Sequence, residues 1–185
     1  MARRRLFENI DSPGRISEYL PLNTYILKRM DRKDRLILNI LQSEAGLSMQ
    51  ELADRTALSK SAVWRRVRDL EESGVIRQRV ALLDPEALGF GLTVFALVRT
   101  SQHSDSWFAR FEAAVDSIPE ILEFHRMSGD VDYLLRVVAR DIGHYDQIYK
   151  RLIRAVDFAD ISSTFVMETL KAGVALPLDP HAATP

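Results

Sequence analysis

The stretch from Ser48 to Ile76, SMQELADRTALSKSAVWRRVRDLEESGVI, constrains the fold most, because it predicts two short helices joined by a tight turn. Ser48 and Glu51 have the S-x-x-E spacing of a capping box, so the first helix is expected to begin there. Residues 56–58 follow as the turn, and Ser59 is the expected N-cap of the second helix. The pattern predicts a helix-turn-helix.

The second helix of this pair has an apolar side and a basic side. Val63, Val67 and Leu70 recur at spacings of four and three residues, so they share one face and are expected to be buried. The opposite side carries polar, aromatic and basic residues: Lys60, Ser61, Trp64, Arg65 and Arg68. A helix of this kind can lie in the DNA major groove with its outward side against bases and phosphates.

The order of charges separates two interpretations of the basic side. An ordinary amphipathic helix pair could carry these arginines as a solvated face. However, the cations stand near the start and middle of the helix, whereas Asp69, Glu71 and Glu72 stand at its end. The helix dipole favours the reverse order, so a purely structural helix gains nothing from this one. A helix whose first turns lie against phosphates does gain, which favours the nucleic-acid interpretation.

The net charge of −1 hides an asymmetry between the two halves of the chain. Residues 1–80 hold 16 Lys and Arg against 11 Asp and Glu, whereas residues 81–185 hold 9 against 15. A basic amino-terminal half and an acidic carboxy-terminal half indicate two functions. The expected partner of the first is a polyanion.

The residue types exclude several classes of protein. Cysteine is absent, which excludes disulfides and thiolate metal sites. The four histidines, at positions 103, 125, 144 and 181, show no ligand spacing, and we expect no metal and no cofactor. No apolar run approaches the roughly 18 residues of a membrane span, and no signal-peptide core follows the first arginines. We therefore expect a soluble, cytoplasmic protein.

The segments on either side of the helix-turn-helix complete a DNA-binding domain over residues 30–83. Residues 1–29 lack periodicity and are expected to form an irregular extension. Asp31 is the expected cap of a further helix, whose apolar stripe is Leu36, Ile37, Ile40 and Leu41. After Gly74, the expected C-cap, Arg77 and Arg79 lie in an extended segment and can contact phosphates as the wing of a winged helix-turn-helix. Residues 84–91, with Pro and two Gly, predict a hinge.

The carboxy-terminal half alternates strands and helices over residues 92–171. Strands are predicted at 92–100, 121–128, 132–140 and 160–171, with helices at 106–117 and after Asp141. The order β-α-β-β-α-β is the ferredoxin-like arrangement, an antiparallel sheet with both helices on one face. The fold class is therefore α+β. Residues 172–185, with three prolines, are expected to be a loose tail.

The face of this sheet away from the helices is also expected to be apolar. Leu134, Val138, Val94 and Val166 are predicted to lie there. A bare apolar sheet face is rare on a monomer, so we expect a second copy of the chain to cover it. A dimer would place two reading helices on neighbouring turns of the major groove.

With this order of elements, the chain resembles the Lrp/AsnC family of bacterial and archaeal transcription regulators. The segments that carry the resemblance are MDRKDRLILNILQ, SKSAVWRRVRDLEESGVI, RMSGDVDYLLRV and TFVMETLK. SGDVDYLL between two strands is more specific than the helix-turn-helix alone. The resemblance extends from about Met30 to Lys171 and leaves out residues 1–29.

The resemblance implies a DNA-binding regulator, without enzymatic activity, whose carboxy-terminal domain oligomerises and senses a small molecule, usually an amino acid. It further implies homodimers that assemble into octamers or similar discs. In the family, the effector lies between subunits, near the turn that joins the second and third strands and near the end of the last strand. In this sequence those positions are Met127, Ser128, Gly129, Asp130, Asp132, Tyr133 and Leu134, with Thr164, Phe165 and Val166 opposite.

The chemistry of the turn suits an amino acid. Backbone amides near Gly129 can hold a carboxylate, and Asp130 or Asp132 can pair with an α-ammonium. A plain hairpin turn would also contain glycine and aspartate, and only the family context favours the site. Arg126 stands where the family often has an apolar residue, which weakens the expectation of a leucine-type effector. His125 is interpreted as a structural residue of its strand.

Two other functions remain open at this stage. A ligand-independent architectural protein that coats DNA would have the same DNA-facing residues and would differ only at the turn. The second is an enzyme. Siroheme decarboxylases share the two-domain architecture, and a fold alone does not fix a function. Their haem-type substrates need clustered histidine or arginine, whereas the histidines here are scattered. No Ser-His-Asp, paired-carboxylate or phosphate-loop pattern is present.

Overall fold

The computed structural model describes residues 30–102 and 104–178, which divide into two units. Of the described residues, the amino-terminal unit comprises 30–81 and 173–178, and the carboxy-terminal unit comprises 82–102 and 104–172. The predicted extension over residues 1–29 lies outside the described residues. Among the described helices, none is long and apolar enough to cross a membrane.

Three helices form the amino-terminal unit, and each begins at its predicted cap. They are α1 (Arg32–Ser43), α2 (Met49–Thr56) and α3 (Lys60–Glu72). Asp31 and Ser48 form capping boxes before α1 and α2, and the Ser59 hydroxyl accepts the Ala62 N–H at the start of α3. A side-chain cap stabilises a helix by about 1 kcal/mol, so local sequence fixes these three starts.

The turn between α2 and α3 depends on a left-handed residue that is not glycine. Ala57 has φ +52°, and its N–H is directed at the carbonyls of Ala53 and Asp54. This conformation costs roughly 1–2 kcal/mol in an L-residue, which the helix-ending hydrogen bonds offset. At the other end of α3, the C-cap is Ser73, one residue before the predicted Gly74, and Gly74 follows it with φ +73°.

The core of the amino-terminal unit lies where the three helices meet. Its buried residues are Ile37, Leu38 and Leu41 of α1, Leu52 and Ala53 of α2, and Val63, Val67 and Leu70 of α3. The prediction for α3 is confirmed. For α1 it is partly wrong, because Leu36 and Ile40 are only half-buried and Leu38 is buried instead. The face of α1 that meets α2 and α3 is rotated from the stripe that spacing alone suggested.

Arg66 joins α3 to the start of α1. Its Nη1 lies 2.6 Å from Asp34 Oδ1 and 2.8 Å from Asp31 Oδ2. Burial raises the pKa of Asp31, but hydrogen bonds from the Asp34 N–H and the Arg66 guanidinium outweigh that effect and hold the pKa below its ordinary 3.8. Arg66 is therefore a structural arginine, unlike its neighbour Arg65 on the outward side.

We expect Arg66→Ala to lower the stability of the amino-terminal unit by about 1 kcal/mol at neutral pH, because the largely buried Asp34 carboxylate and the exposed Asp31 carboxylate lose a partner. A lowered pKa of Asp31 in the folded state stabilises the fold above pH 3.8, and this contribution disappears as the pH falls through the folded pKa. The difference between variant and wild type should therefore shrink near pH 3. Thermal unfolding at pH 7 and pH 3 measures it, with Lys150→Ala, which removes an exposed ion pair to Asp146, as the control. An equal difference at both pH values would contradict this role.

The segment after residue 172 is attached to α1, where the sequence predicts a loose tail. The Gln42 side-chain amide donates to the Leu176 carbonyl (Nε2–O 3.2 Å) and accepts the Leu176 N–H (2.6 Å). Asn39 donates to the Leu178 carbonyl at 2.7 Å, and Leu178 packs against the core. The prediction is wrong for Leu176 and Leu178, and residues 179–185 lie outside the described chain.

The carboxy-terminal unit has the predicted β-α-β-β-α-β order. Its elements are β1 (Leu92–Arg99), α4 (Asp105–Asp116), β2 (Ile121–Arg126), β3 (Tyr133–Ala139), α5 (Ile142–Ala155) and β4 (Asp160–Phe165). The four strands form one sheet in the order β2-β3-β1-β4, with every neighbouring pair antiparallel. The ferredoxin-like prediction is confirmed.

Strand β4 is shorter than predicted. It ends at Phe165 instead of Lys171, and Met167 and Leu170 beyond it are almost fully exposed. The Val166 N–H still donates to the Thr93 carbonyl, one residue from the first residue of β1. Pairing stops here because β4 has reached the beginning of the strand it pairs with.

An aromatic core lies between the helices and one face of the sheet. Trp107 and Phe111 of α4 pack with Phe124 of β2, Tyr133 of β3 and Phe158, at ring-centroid distances of 4.8–5.9 Å for the contacting pairs. The Trp107 indole N–H donates to the Asp157 carbonyl at 2.8 Å. Val94, Ala96 and Val98 of β1 face the same core.

The opposite side of the sheet, here called the second face, carries the alternate residues of each strand. They are Thr93, Phe95 and Leu97 of β1, Leu134, Arg136 and Val138 of β3, Glu123 and His125 of β2, and Ser162 and Thr164 of β4. Leu134 and Val138 lie on the predicted side. Val94 does not, since it is fully buried under the helices, and Phe95 and Leu97 take the place assigned to it.

Candidate functional site

The outward side of α3 presents the residues predicted to contact DNA. Lys60, Ser61, Trp64, Arg65 and Arg68 are all exposed, while Val63, Val67 and Leu70 are buried beneath them. Within the part of the chain that the structure describes, neither Lys60 nor Arg65 has an ion-pair partner. The helix therefore offers two unpaired cations in its first two turns.

Other cations near α3 are engaged with glutamates. Arg68 Nε donates to Glu72 at 2.6 Å, and Arg79 Nη2 donates to Glu71 at 2.8 Å. Both are exposed ion pairs, which contribute roughly 0.2–1 kcal/mol each, so phosphates can displace the glutamates at little cost. Residues 75–84, the predicted wing, form neither helix nor strand, but Arg77 and Arg79 are exposed as a phosphate contact requires.

The turn between β2 and β3 is closed by backbone hydrogen bonds. The Met127 N–H donates to the Asp132 carbonyl at 2.8 Å, and Gly129 has φ +119°, a conformation that strongly favours glycine. Two residues at the end of β1 also hold this turn. Arg99 Nε donates to the Asp130 carbonyl at 2.9 Å, and the Thr100 N–H donates to Asp132 Oδ2 at 2.8 Å. Sequence reasoning missed both, because they lie about 30 residues from the turn.

The predicted effector residues of the turn differ in what they can offer a ligand. Ser128, Gly129 and Asp130 are exposed, and Met127 is 43% exposed. Asp132 is half-buried with one carboxylate oxygen engaged by Thr100, which leaves Oδ1 for another partner. Tyr133 belongs to the aromatic core, and burial raises the pKa of its hydroxyl. Its neighbour Leu134 lies on the second face, beside His125.

The remaining predicted effector residues lie at the far end of the sheet. Thr164 pairs with Phe95, and Phe165 pairs with Val94, whereas the turn meets β1 at Val98. From the end of β4 near Thr93 to Val98 is five residues of β1, roughly 17 Å at the rise of a β-strand. One copy of the chain therefore does not bring the turn and the end of β4 together.

The two histidines that the structure describes outside any predicted site lie on different elements. His125 Nε2 lies 3.1 Å from Glu123 Oε2 on β2, and His144 Nε2 lies 3.4 Å from Glu120 Oε1 near the start of α5. Glu123 also binds Arg136 at 2.7 Å, and these two partners, His125 first, lower its pKa against the opposing effect of burial. Among the described residues, no group of acidic or histidine side chains could hold a metal ion.

The chain combines a helix-turn-helix that has an outward basic side with a ferredoxin-like unit. Comparison with known proteins identifies the family to which this combination belongs. Residues 30–77 match the model of a winged helix-turn-helix DNA-binding domain, and residues 93–176 match that of the Lrp/AsnC ligand binding domain. The chain belongs to the Lrp/AsnC family and is a DNA-binding transcriptional regulator of that type.

Individual relatives support this assignment along most of the chain. A glutamate uptake regulatory protein of Zymomonas mobilis is 44% identical over 153 residues, which is 83% of this chain and 93% of the relative. An AsnC family transcriptional regulator from Agrobacterium tumefaciens, known from its crystal structure, is 52% identical with a TM-score of 0.78, covering 81% of this chain and 98% of that one. A transcriptional regulator from Neisseria meningitidis, crystallised as an L-Met complex, is 34% identical with a TM-score of 0.77, covering 81% and 97%.

Proposed function

We propose that α3 reads DNA in the major groove and that the carboxy-terminal unit binds an amino acid between two copies of the chain. Lys60, Ser61, Trp64, Arg65 and Arg68 are the proposed contacts of the reading helix, and Arg77 and Arg79 contact phosphates without reading sequence. All these side chains are exposed, and those of α3 lie opposite its buried apolar face, which supports this assignment.

One observation carries the proposal that the effector site needs two copies. The turn residues and the end of β4 lie at opposite ends of β1, so a ligand that contacts both sets requires the β4 end of a second chain. The second face supplies a surface for that chain, since Phe95, Leu97, Leu134 and Val138 give it an apolar centre. A two-fold dimer joins like faces, which allows two equivalent sites at the interface.

An amino acid fits the groups that the turn presents. Exposed backbone N–H groups around Gly129 can donate hydrogen bonds to a carboxylate, and Asp130 or the free oxygen of Asp132 can pair with an α-ammonium. The Neisseria relative, which shares this fold, was crystallised with L-Met. We propose that the effector is an amino acid. We also propose that the protein acts in the cytoplasm as a dimer or a larger assembly of dimers.

A thermal-shift screen of the purified chain against the twenty amino acids and several keto acids tests this function. A ligand that binds only the folded state increases the free energy of unfolding, by about 2.7 kcal/mol at a hundredfold excess over Kd, and therefore raises the melting temperature. We expect one class of amino acid to raise Tm, and sedimentation to show at least a dimer. No shift at millimolar ligand, with DNA binding intact, would favour the ligand-independent architectural alternative.

The decarboxylase alternative is not favoured by any feature of the described residues. His125 and His144 each contact a separate glutamate, so they do not form the cluster that a haem-type substrate needs. The relatives above are named as transcriptional regulators. Incubation with a siroheme-type substrate, followed by mass spectrometry for loss of carbon dioxide, is the direct check of this second possibility.

A further inference from the structure

The outward side of α3 contains an apolar cleft among its charges. Met49 of α2 and Lys60, Ser61 and Trp64 of α3 line this open cleft, with Met49 and Trp64 as its apolar walls. Met49 stands at the first position of α2, next to the Ser48 cap, and nothing in the sequence pattern marks it as a functional residue. The side chain of Trp64 is 53% exposed, which is unusual for an indole in so small a unit.

The indole of Trp64 is held outward by its own helix. The Arg68 guanidinium carbon lies 5.4 Å from the ring centroid, one turn along α3, in a cation–π contact. Arg68 is in turn fixed by Glu72 at 2.6 Å. The Trp64 ring therefore presents its free surface on the side of the helix that the basic residues share.

The charge around the cleft indicates what kind of ligand it can bind. Lys60 forms part of the lining, Arg68 lies over the Trp64 ring, and Arg65 is exposed on the same helix, so the surface attracts a polyanion. On base edges in the major groove, the apolar group is the C5-methyl of thymine. An apolar cleft inside a cationic surface on a reading helix matches a thymine surrounded by phosphates.

We propose that the cleft between Met49 and Trp64 receives the C5-methyl group of a thymine and thereby makes the protein prefer T over C at one position of each half-site. This inference rests on the proposed reading of DNA by α3. It assigns Trp64 a role in specificity, in contrast to Arg77 and Arg79, which contact only phosphates.

The test uses DNA sites selected by the wild-type protein from a random library. Each thymine is replaced in turn by deoxyuridine, which removes the methyl group and leaves base pairing unchanged. We expect one thymine in each half-site whose replacement weakens binding roughly three- to tenfold, the value of burying one methyl group. At the same position, 5-methylcytosine paired with guanine should bind more tightly than unmodified cytosine.

Protein variants locate the effect. Trp64→Ala should bind thymine and deoxyuridine sites equally at that position, whereas Arg65→Ala should bind both more weakly and keep the wild-type ratio. Trp64→Phe, which keeps an aromatic wall, should keep part of the ratio, and circular dichroism checks that each variant is folded. The proposal is overturned if Trp64→Ala still discriminates as the wild type does, or if the wild type discriminates at no thymine. Failure of α3 to bind DNA at all would appear differently, as wild-type affinity in a variant lacking Arg65 and Arg68.

Discussion

Replacement of Arg65 and Arg68 together by alanine is expected to abolish specific DNA binding while the chain stays folded and associated. Both side chains are exposed on the outward side of α3, and neither contributes to the core of the amino-terminal unit. An arginine that contacts a guanine edge is worth about 1–3 kcal/mol, so the loss of two should weaken operator binding by roughly a hundredfold or more. If both contact phosphates instead, the salt slope should fall by about 2.

The matched control for this experiment removes two cations elsewhere. Arg110 and Arg154 are exposed on α4 and α5 of the carboxy-terminal unit, so Arg110→Ala with Arg154→Ala makes the same change in net charge. Fluorescence anisotropy with labelled operator DNA compares the two double variants. Undiminished operator affinity without Arg65 and Arg68 would show that another surface reads the DNA.

Asp132→Asn is expected to remove the effector response and leave DNA binding intact. Substitution by alanine would also release the Thr100 N–H, which Asp132 Oδ2 accepts at 2.8 Å, and would loosen the turn. Asparagine keeps an acceptor for that N–H and removes only the charge that would pair with an α-ammonium. A hydrogen bond to a charged group contributes about 1.5–3 kcal/mol, so effector affinity should fall roughly ten- to a hundredfold.

Asp130→Asn serves as the comparison. Asp130 is exposed on the same turn, and Arg99 binds its backbone carbonyl, so the substitution keeps that hydrogen bond. Isothermal calorimetry with the amino acid found in the thermal-shift screen gives the affinity of each variant. A loss of effector affinity in Asp130→Asn alone would show that Asp130, and not Asp132, pairs with the α-ammonium. Unchanged titrations in both variants would place the pocket elsewhere in the chain.

Local signals explain why the helices were predictable. Asp31, Ser48 and Ser59 fix the starts of three helices through hydrogen bonds within four residues, and those bonds depend only on nearby sequence. The attachment of residues 176–178 to α1 was not predictable. Gln42 and Leu176 are 134 residues apart, and no sequence pattern in either segment indicates that they contact each other. Long-range hydrogen bonds of this kind leave no periodic pattern.

The assignment of sheet faces failed at Val94 for a different reason. Strand β1 is apolar on both faces, with Phe95 and Leu97 on one and Val94, Ala96 and Val98 on the other. Alternation identifies a face only when one side is polar, so the sequence could not say which set lies under the helices. The structure settles it through the contacts of Val94 with the aromatic core.

The residues of the candidate sites were likewise predictable where they lie on one element and not predictable where they depend on contacts between elements. The basic side of α3 follows from spacing on a single helix, so its residues were predictable together. The cleft at Met49 and the support of the turn by Arg99 and Thr100 depend on contacts between elements, which spacing does not contain. The separation of the turn from the end of β4 follows from the strand register, and it supports a site shared between two copies.

The most direct measurement is a titration of operator DNA with the wild-type protein, by fluorescence anisotropy, without and with saturating amino acid. Coupling between two ligand sites typically changes affinity five- to 150-fold, and by linkage the DNA must change the affinity for the amino acid by the same factor. An effector-responsive regulator should show such a factor in both titrations. Asp132→Asn should show a much smaller factor at the amino-acid concentration that just saturates the wild type. Equal operator affinity with and without every amino acid that binds the protein would contradict the account.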